Sequence, residues 1–341
     1  MDRLPEKASP VLRRRFVSTG HLPPPQQTQD LIDLSYRIFR DIDEGENYAA
    51  YPALKQMPAD LFGVALSTAD GRTYAAGDAE TPFTMMSVAK PFLFAIVAEE
   101  TGAEEVRSRV GLNATGMEFN SVVAIELRDG HYTNPMVNAG AMATLSLAPG
   151  GRAERKWRFV RDGLSRFAGR DLQVNDEVYE SVTASNWRNQ AVARLLYAHE
   201  RLYFDPVAIT DLYTRMSCLE VTARDLSVMA ATLANGGVNP VTGERVVDDL
   251  SCQHTLAVMT TSGLYETSGE WLFDVGVPGK SGVAGGMIAA APGKGGLASF
   301  SPPLDRAGNS VRGQLVTKHL SQELGLNIFA SAAGPPRASD A

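Results

Sequence analysis

Strand chemistry sits at the two ends of this 341-residue chain, and helical periodicity fills the long stretch between them. Near the start, Phe62, Val64 and Leu66 alternate ahead of Asp70-Gly71, a two-residue hairpin signal, and Thr73-Tyr74 follows. This reads as a strand pair with one buried face. Near the end, residues 283–291 and 297–301 flank a Pro292-Gly293 turn and read as a second hairpin. Two hairpins so far apart can share one antiparallel sheet. Between about 103 and 262 the helical signals dominate. The clearest helix starts at Thr222 with Asp225 as its capping-box partner, buries Leu226, Met229, Ala230 and Leu233, and stops at Asn235-Gly236-Gly237.

A first helix is expected where Leu31, Leu34, Ile38 and Ile42 fall on one stripe, and a last one over about 309–324. The pattern predicts an α+β fold. Its antiparallel sheet domain, about 29–86 and 270–330, is flanked by the N- and C-terminal helices and interrupted by a helical insertion, about 87–269. Residues 1–28, with Arg13-Arg14-Arg15 and Pro23-Pro24-Pro25, read as a mobile arm, and 331–341 as a loose tail.

Composition excludes several functions. A net charge of −7 argues against a nucleic-acid footprint, which needs a basic face. No apolar run is long enough to span a bilayer, and the start Met1-Asp2-Arg3 carries no apolar signal core. Two cysteines, Cys218 and Cys252, are too few for a disulfide framework, and the five histidines show no metal-ligand spacing. The expectation is a cytoplasmic protein without metal or cofactor.

Ser87-Val88-Ala89-Lys90 is the only Ser-x-x-Lys in the chain. Residues three apart share a helix face, so the Lys90 amine can reach the Ser87 hydroxyl. An amine kept neutral by burial can take that proton and make a usable nucleophile. Pro91 fits a first helical turn, which places Ser87 beside free N–H groups at a helix N-terminus. A second element, Lys280-Ser281-Gly282-Val283-Ala284-Gly285-Gly286, opens the second hairpin. Its glycines let backbone approach a ligand, so the N–H groups of Val283 and Ser87 could form a two-donor oxyanion hole.

Ser-x-x-Lys before a helical insertion, then Lys-Ser-Gly on a late strand, resembles the serine β-lactamase and penicillin-binding-protein plan. The blocks between are similar to those of one branch, the glutaminases. They are Gly111 to Gly116 with Phe119-Asn120-Ser121, Asn134 to Ala141, Ser227 to Gly237 with Thr242 to Val246, Lys280 to Gly286, and Ser301 to Val311. The resemblance covers roughly residues 30 to 325. It implies a β-lactamase-like fold and hydrolysis of the side-chain amide of L-glutamine to glutamate and ammonia, with water as co-substrate. It makes Ser87 the nucleophile and Lys90 its activating partner. Tyr213 would face the serine and Tyr265 the leaving group, where a phenol of lowered pKa could shuttle a proton. Which of Lys90, Tyr213 and Tyr265 is the base stays open. Asn138 and Asn189 would hold substrate, Val283 would act through its backbone, and a homodimer or homotetramer is implied.

Two positions depart from the resemblance. A glutamate that would meet the substrate ammonium is Val182 here, and a tyrosine near the substrate carboxylate is Ala50. Glu180 or Tyr51 could replace them after a local shift. Two other readings share these residues: an amidase for a different primary amide, whose apolar part packs on Val182, and a glutamine-binding protein without turnover.

Overall fold

The computed structural model describes residues 21–331, so the expected arm up to residue 20 and the tail from 332 lie outside the described residues. Five strands form one antiparallel sheet in the order β2-β1-β7-β6-β5. They are β1 (Gly63–Thr68), β2 (Thr73–Gly77), β5 (Gly279–Ser281), β6 (Gly286–Ala291) and β7 (Gly295–Phe300). The two hairpins join along β1 and β7, where Val64 lies opposite Ser299 and Leu66 opposite Leu297. Two short strands, β3 (Phe83–Thr84) and β4 (Glu220–Val221), pair separately at the entrance to the helical part.

The sheet is covered on both faces. On one side Val64, Leu66, Met287, Ala289 and Leu297 meet Leu31, Ile32 and Phe39 of the first helix and Val316 and Leu320 of the last. On the other side Ala65, Ile288, Ala290 and Ala298 meet Leu226, Met229 and Ala230. That second face is small for a reason. The helix Ala223–Ala234 lies so close to β7 that a Cβ on Gly296 would sit 2.2 Å from the Ala231 nitrogen. Ser67 and Ser227 hydroxyls bond across the same seam at 2.7 Å.

Four expectations change. β1 is buried at all six positions, not on one face, because the capped helix (Thr222 with Asp225) packs on the sheet. That helix therefore belongs to the sheet layer, although it falls inside the stretch read as the insertion. Lys280 and Ser281 do not open the second hairpin; they form their own strand, β5, and Val283 lies in the turn before β6. The first helix spans Pro25–Phe39, starting inside the segment read as an arm, with proline in the first turn where no N–H is needed. Among the described residues no helix is long and apolar enough to cross a membrane.

The close seam yields a stability test. Gly296→Val would drive a side chain into helix backbone that cannot yield, so we expect destabilisation of at least about 1–3 kcal/mol, read as a lower urea midpoint.

Candidate active site

The serine sits where strand gives way to helix. After β3 the chain makes a single 3-10 turn, Met86–Val88, and continues as the helix Ala89–Thr101, which ends at Gly102. Met86 takes the left-handed conformation, φ +46°. A non-glycine held there is strained by the order of 1–3 kcal/mol and persists only where surrounding packing imposes it. Here the packing comes from β5 and its turn: a Cβ on Gly282 would lie 2.9 Å from the Met85 carbonyl oxygen and 3.3 Å from the Ser87 nitrogen. Glycine at 282 thus lets the turn carrying Val283 press against the serine turn. Among the described residues neither the Ser87 N–H nor the Val283 N–H donates to a protein acceptor.

Lys90 Nζ donates to Ser87 Oγ at 2.5 Å, and the lysine is 1 % exposed. Burial lowers its ammonium to about 7. A second buried lysine, Lys280, donates to the Ser281 carbonyl at 2.7 Å and lies 4.0 Å over the Tyr265 ring. Burial first, and the Lys90 charge second, hold it well below the usual lysine range. Ser281 in turn donates to Asn309 Oδ1 at 2.5 Å.

Both tyrosines are buried against the serine. Tyr213 donates to Asn138 Oδ1 at 2.9 Å, and Tyr265 to the Ser281 carbonyl at 3.4 Å. A phenol of lowered pKa was the expectation, and the structure corrects it. Burial raises Tyr213 well above its usual value and Tyr265 to about 12; contacts with Ser87 pull both the other way without overcoming it. Neutral hydroxyls are what this environment favours.

The asparagines form a relay of amides. Asn138 Nδ2 donates to Asn189 Oδ1 at 3.0 Å, Asn189 to Asn186 at 2.7 Å, and Asn186 to Thr214 at 2.8 Å. Asn138 opens the helix Asn138–Leu147, Asn189 lies on Trp187–Ala198, and Tyr213 and Thr214 lie on Pro206–Ser217. Three helices of the insertion thereby share one polar wall.

Ser87, Tyr213, Asn138, Asn189 and Val283 line a single narrow pocket with Val182, Tyr48, Tyr51, Phe119 and Thr214. Lys90 and Tyr265 support it from behind through Ser87 and Ser281. Of the two suggested replacements at its far end, Tyr51 lines the pocket and Glu180 does not, being exposed on the outer side of its helix. Tyr48 stacks edge-on with Tyr51 at 5.2 Å and was missed. Its two-polar-ring signal, Tyr48-Ala49-Ala50-Tyr51, lies in an irregular stretch where no periodicity points inward. Asn186 was also missed, since a buried amide on a helix boundary looks in sequence like an ordinary cap.

Sheet, insertion and Ser-x-x-Lys pair place the chain in the β-lactamase-like superfamily of serine enzymes. The glutaminase family model matches residues 45–329. Glutaminase 2 of Yersinia pestis is 52% identical over 316 residues, 93% of each chain, and the glutaminase of Brucella canis is 46% identical over 84% of this chain and 90% of its own. Among solved structures, a probable glutaminase superposes with a TM-score of 0.89 at 40% identity, covering 91% of this chain and all of the other. A covalent complex of a Bacillus subtilis glutaminase with 5-oxo-L-norleucine superposes at 0.79 with 28% identity, covering 90% of this chain and all of the other. The chain belongs to the glutaminase family.

Lys90 also has a thermodynamic signature. Its proton is lost near pH 7 in the fold and near the usual lysine value of 10.5 when unfolded, so between these the unfolded state holds more protons. The cost of burying the ammonium is present below pH 7, and stability rises with pH across that window. We expect the urea midpoint to climb from pH 7 toward 10, and to climb less in Lys90→Met.

Proposed function

We propose that this protein hydrolyses the side-chain amide of L-glutamine to glutamate and ammonia through an acyl-enzyme on Ser87. The observation that carries the reading is the 2.5 Å contact between Ser87 Oγ and a lysine that burial brings to about 7. Neutral Lys90 takes the serine proton as Oγ attacks the amide carbon. The oxyanion forms beside the Ser87 and Val283 N–H groups. The C–N bond then breaks, and ammonia leaves with a proton returned from Lys90, with the neutral Tyr265 and Tyr213 hydroxyls bonding to the reacting atoms. Water attacks the ester in the reverse sense, releasing glutamate and restoring Ser87. Asn138 and Asn189 hold the substrate's polar groups. The covalent complex with 5-oxo-L-norleucine in the Bacillus subtilis relative supports a nucleophile in such a pocket.

Two domains, a sheet unit and a helical insertion meeting at this pocket, fit the same reading, as do a cytoplasmic setting and a homodimer or homotetramer. Both cysteines are buried free thiols, in keeping with a reducing compartment.

A specific observation favours a second reading of the substrate. No carboxylate or guanidinium is among the described residues lining the pocket, and Val182 is one of them. An amide lacking the α-ammonium would lose nothing there. Losing one charged hydrogen bond costs about 1.5–3 kcal/mol, roughly tenfold to a hundredfold in affinity.

Purified enzyme should release ammonia from L-glutamine with a rate that rises with pH to a plateau above about 7, as Lys90 loses its proton. Ser87→Ala should abolish release while the protein stays folded, and persistence of turnover would sink the assignment; Lys90→Ala should be similarly damaging. Val182→Glu should lower KM for glutamine by roughly tenfold or more if that position limits recognition. Faster turnover of deaminated than of free glutamine by the wild type would favour the second reading.

A further inference from the structure

Four non-glycine residues among those described adopt left-handed backbone: Met86, Tyr265, His131 and Glu200. The first two belong to the active site. The other two lie together at a separate place, where residues 123–131 meet the C-terminal end of the helix Trp187–Ala198. Strain of this kind gathers where a side chain is held for a purpose.

At that place His131 and His199 stack face to face, centroids 3.6 Å apart and planes at 16°, and His199 Nε2 lies 3.0 Å from Glu126 Oε1. One potential ligand atom from each of Glu126, His131 and His199 lies within 4.8 Å of those of the other two. The spacing in sequence hid this, since the histidines are far apart in the chain. His131 Nδ1 is 3.0 Å from the Ile125 carbonyl oxygen. A carbonyl can only accept, so the proton sits on Nδ1 and leaves the Nε2 lone pair free, the arrangement usual in metal-ligating imidazoles. Arg201 braces the junction, donating to the Gly130 carbonyl at 2.6 Å and stacking at 4.1 Å on Tyr132.

We propose that Glu126, His131 and His199 form a binding site for a zinc-class divalent cation that staples the 111–137 segment to the helix carrying Asn189. Two imidazoles and one carboxylate, with a position left for water, are a borderline-soft set suited to zinc. Bonds of about 2.0–2.1 Å put tetrahedral ligand atoms about 3.4 Å apart, against 3.0 Å between His199 Nε2 and Glu126 Oε1 and up to 4.8 Å across the set, so the site closes as the two imidazoles turn out of their stack to aim their in-plane lone pairs at one ion. None of the three residues lines the Ser87 pocket, so the ion takes no part in amide cleavage. Its effect is on a wall: the stapled segment carries Phe119, which lines the pocket, and Asn120, which accepts from Arg188 at 3.2 Å.

The full-length chain, stripped of metal with a chelator and dialysed, would be titrated with Zn²⁺ by calorimetry, with hydrogen exchange followed over residues 117–137. We expect one saturable Zn²⁺ per chain, slower exchange in that segment, and loss of both in His131→Ala and in His199→Ala. Glu126→Gln keeps both imidazoles and should bind more weakly. Retained ammonia release by metal-free His131→Ala would show that the variant is folded. Absence of saturable binding in the wild type, equal binding by both histidine variants, or binding that leaves exchange unchanged would each overturn the proposal.

Discussion

Everything at the serine depends on taking the Lys90 amine out of water. In solvent that amine would be a hydrated ammonium with no lone pair to offer, and Ser87 would be an ordinary hydroxyl. The helix Ala89–Thr101 removes it from water by being apolar on every side, with ten consecutive buried residues from Ala89 to Ala98. A helix of that kind is the centre of a core, not an amphipathic cover. It gives the fold rigidity and the lysine its low proton affinity by one and the same burial. The same burial acts on Lys280, and there the Lys90 charge adds to it, because two ammonium groups sharing a dry site cannot both be comfortable. Lys280 is thereby pressed toward its neutral state, while Lys90 is brought there by burial alone.

The geometry around the pair follows from small residues placed where backbones must approach. Gly282 lets the β5 turn reach the serine turn, and Gly296 lets the capped helix settle on β7. The Gly282 contact brings the turn carrying Val283 against the Ser87 turn, backbone to backbone. In the proposed reaction a donor pair made of backbone would need no reorganisation as charge develops, so the turn after β5 would itself do part of the catalytic positioning.

Much of this was legible in the sequence. Ser87 with Lys90, the Thr222–Asp225 cap and the Pro292-Gly293 turn are local signals, and each depends on residues within one or two turns of one another. What could not be read is non-local. Alternation of Phe62, Val64 and Leu66 signals one buried face, while the burial of Ala65 depends on a helix some 160 residues away, closing by the Ser67–Ser227 contact. The β5 strand is only three residues long, too short to separate from its neighbour by pattern. The tyrosines' raised proton affinity and the stacked histidines depend wholly on tertiary neighbours.

The pocket's two ends obey different physics. Around the serine, polar groups are buried and paired: Tyr213 with Asn138, Asn138 with Asn189 and, behind the lining, Ser281 with Asn309. A buried polar network specifies its partner sharply, because any ligand that fails to replace a broken bond leaves a group unsatisfied. The opposite end is made of Val182 and the Tyr48–Tyr51 pair, which carry phenol hydroxyls but no charge. Aromatic and aliphatic surface discriminates by shape, by about 1–3 kcal/mol per group, and offers no opposite charge to a ligand's ammonium or carboxylate. In the proposed reaction, selectivity for the primary amide would rest on the shared wall of three helices, and tolerance for what lies beyond the substrate's α-carbon on a few side chains of two short segments. Such an end can change without disturbing the serine, since none of those side chains holds Lys90 in place.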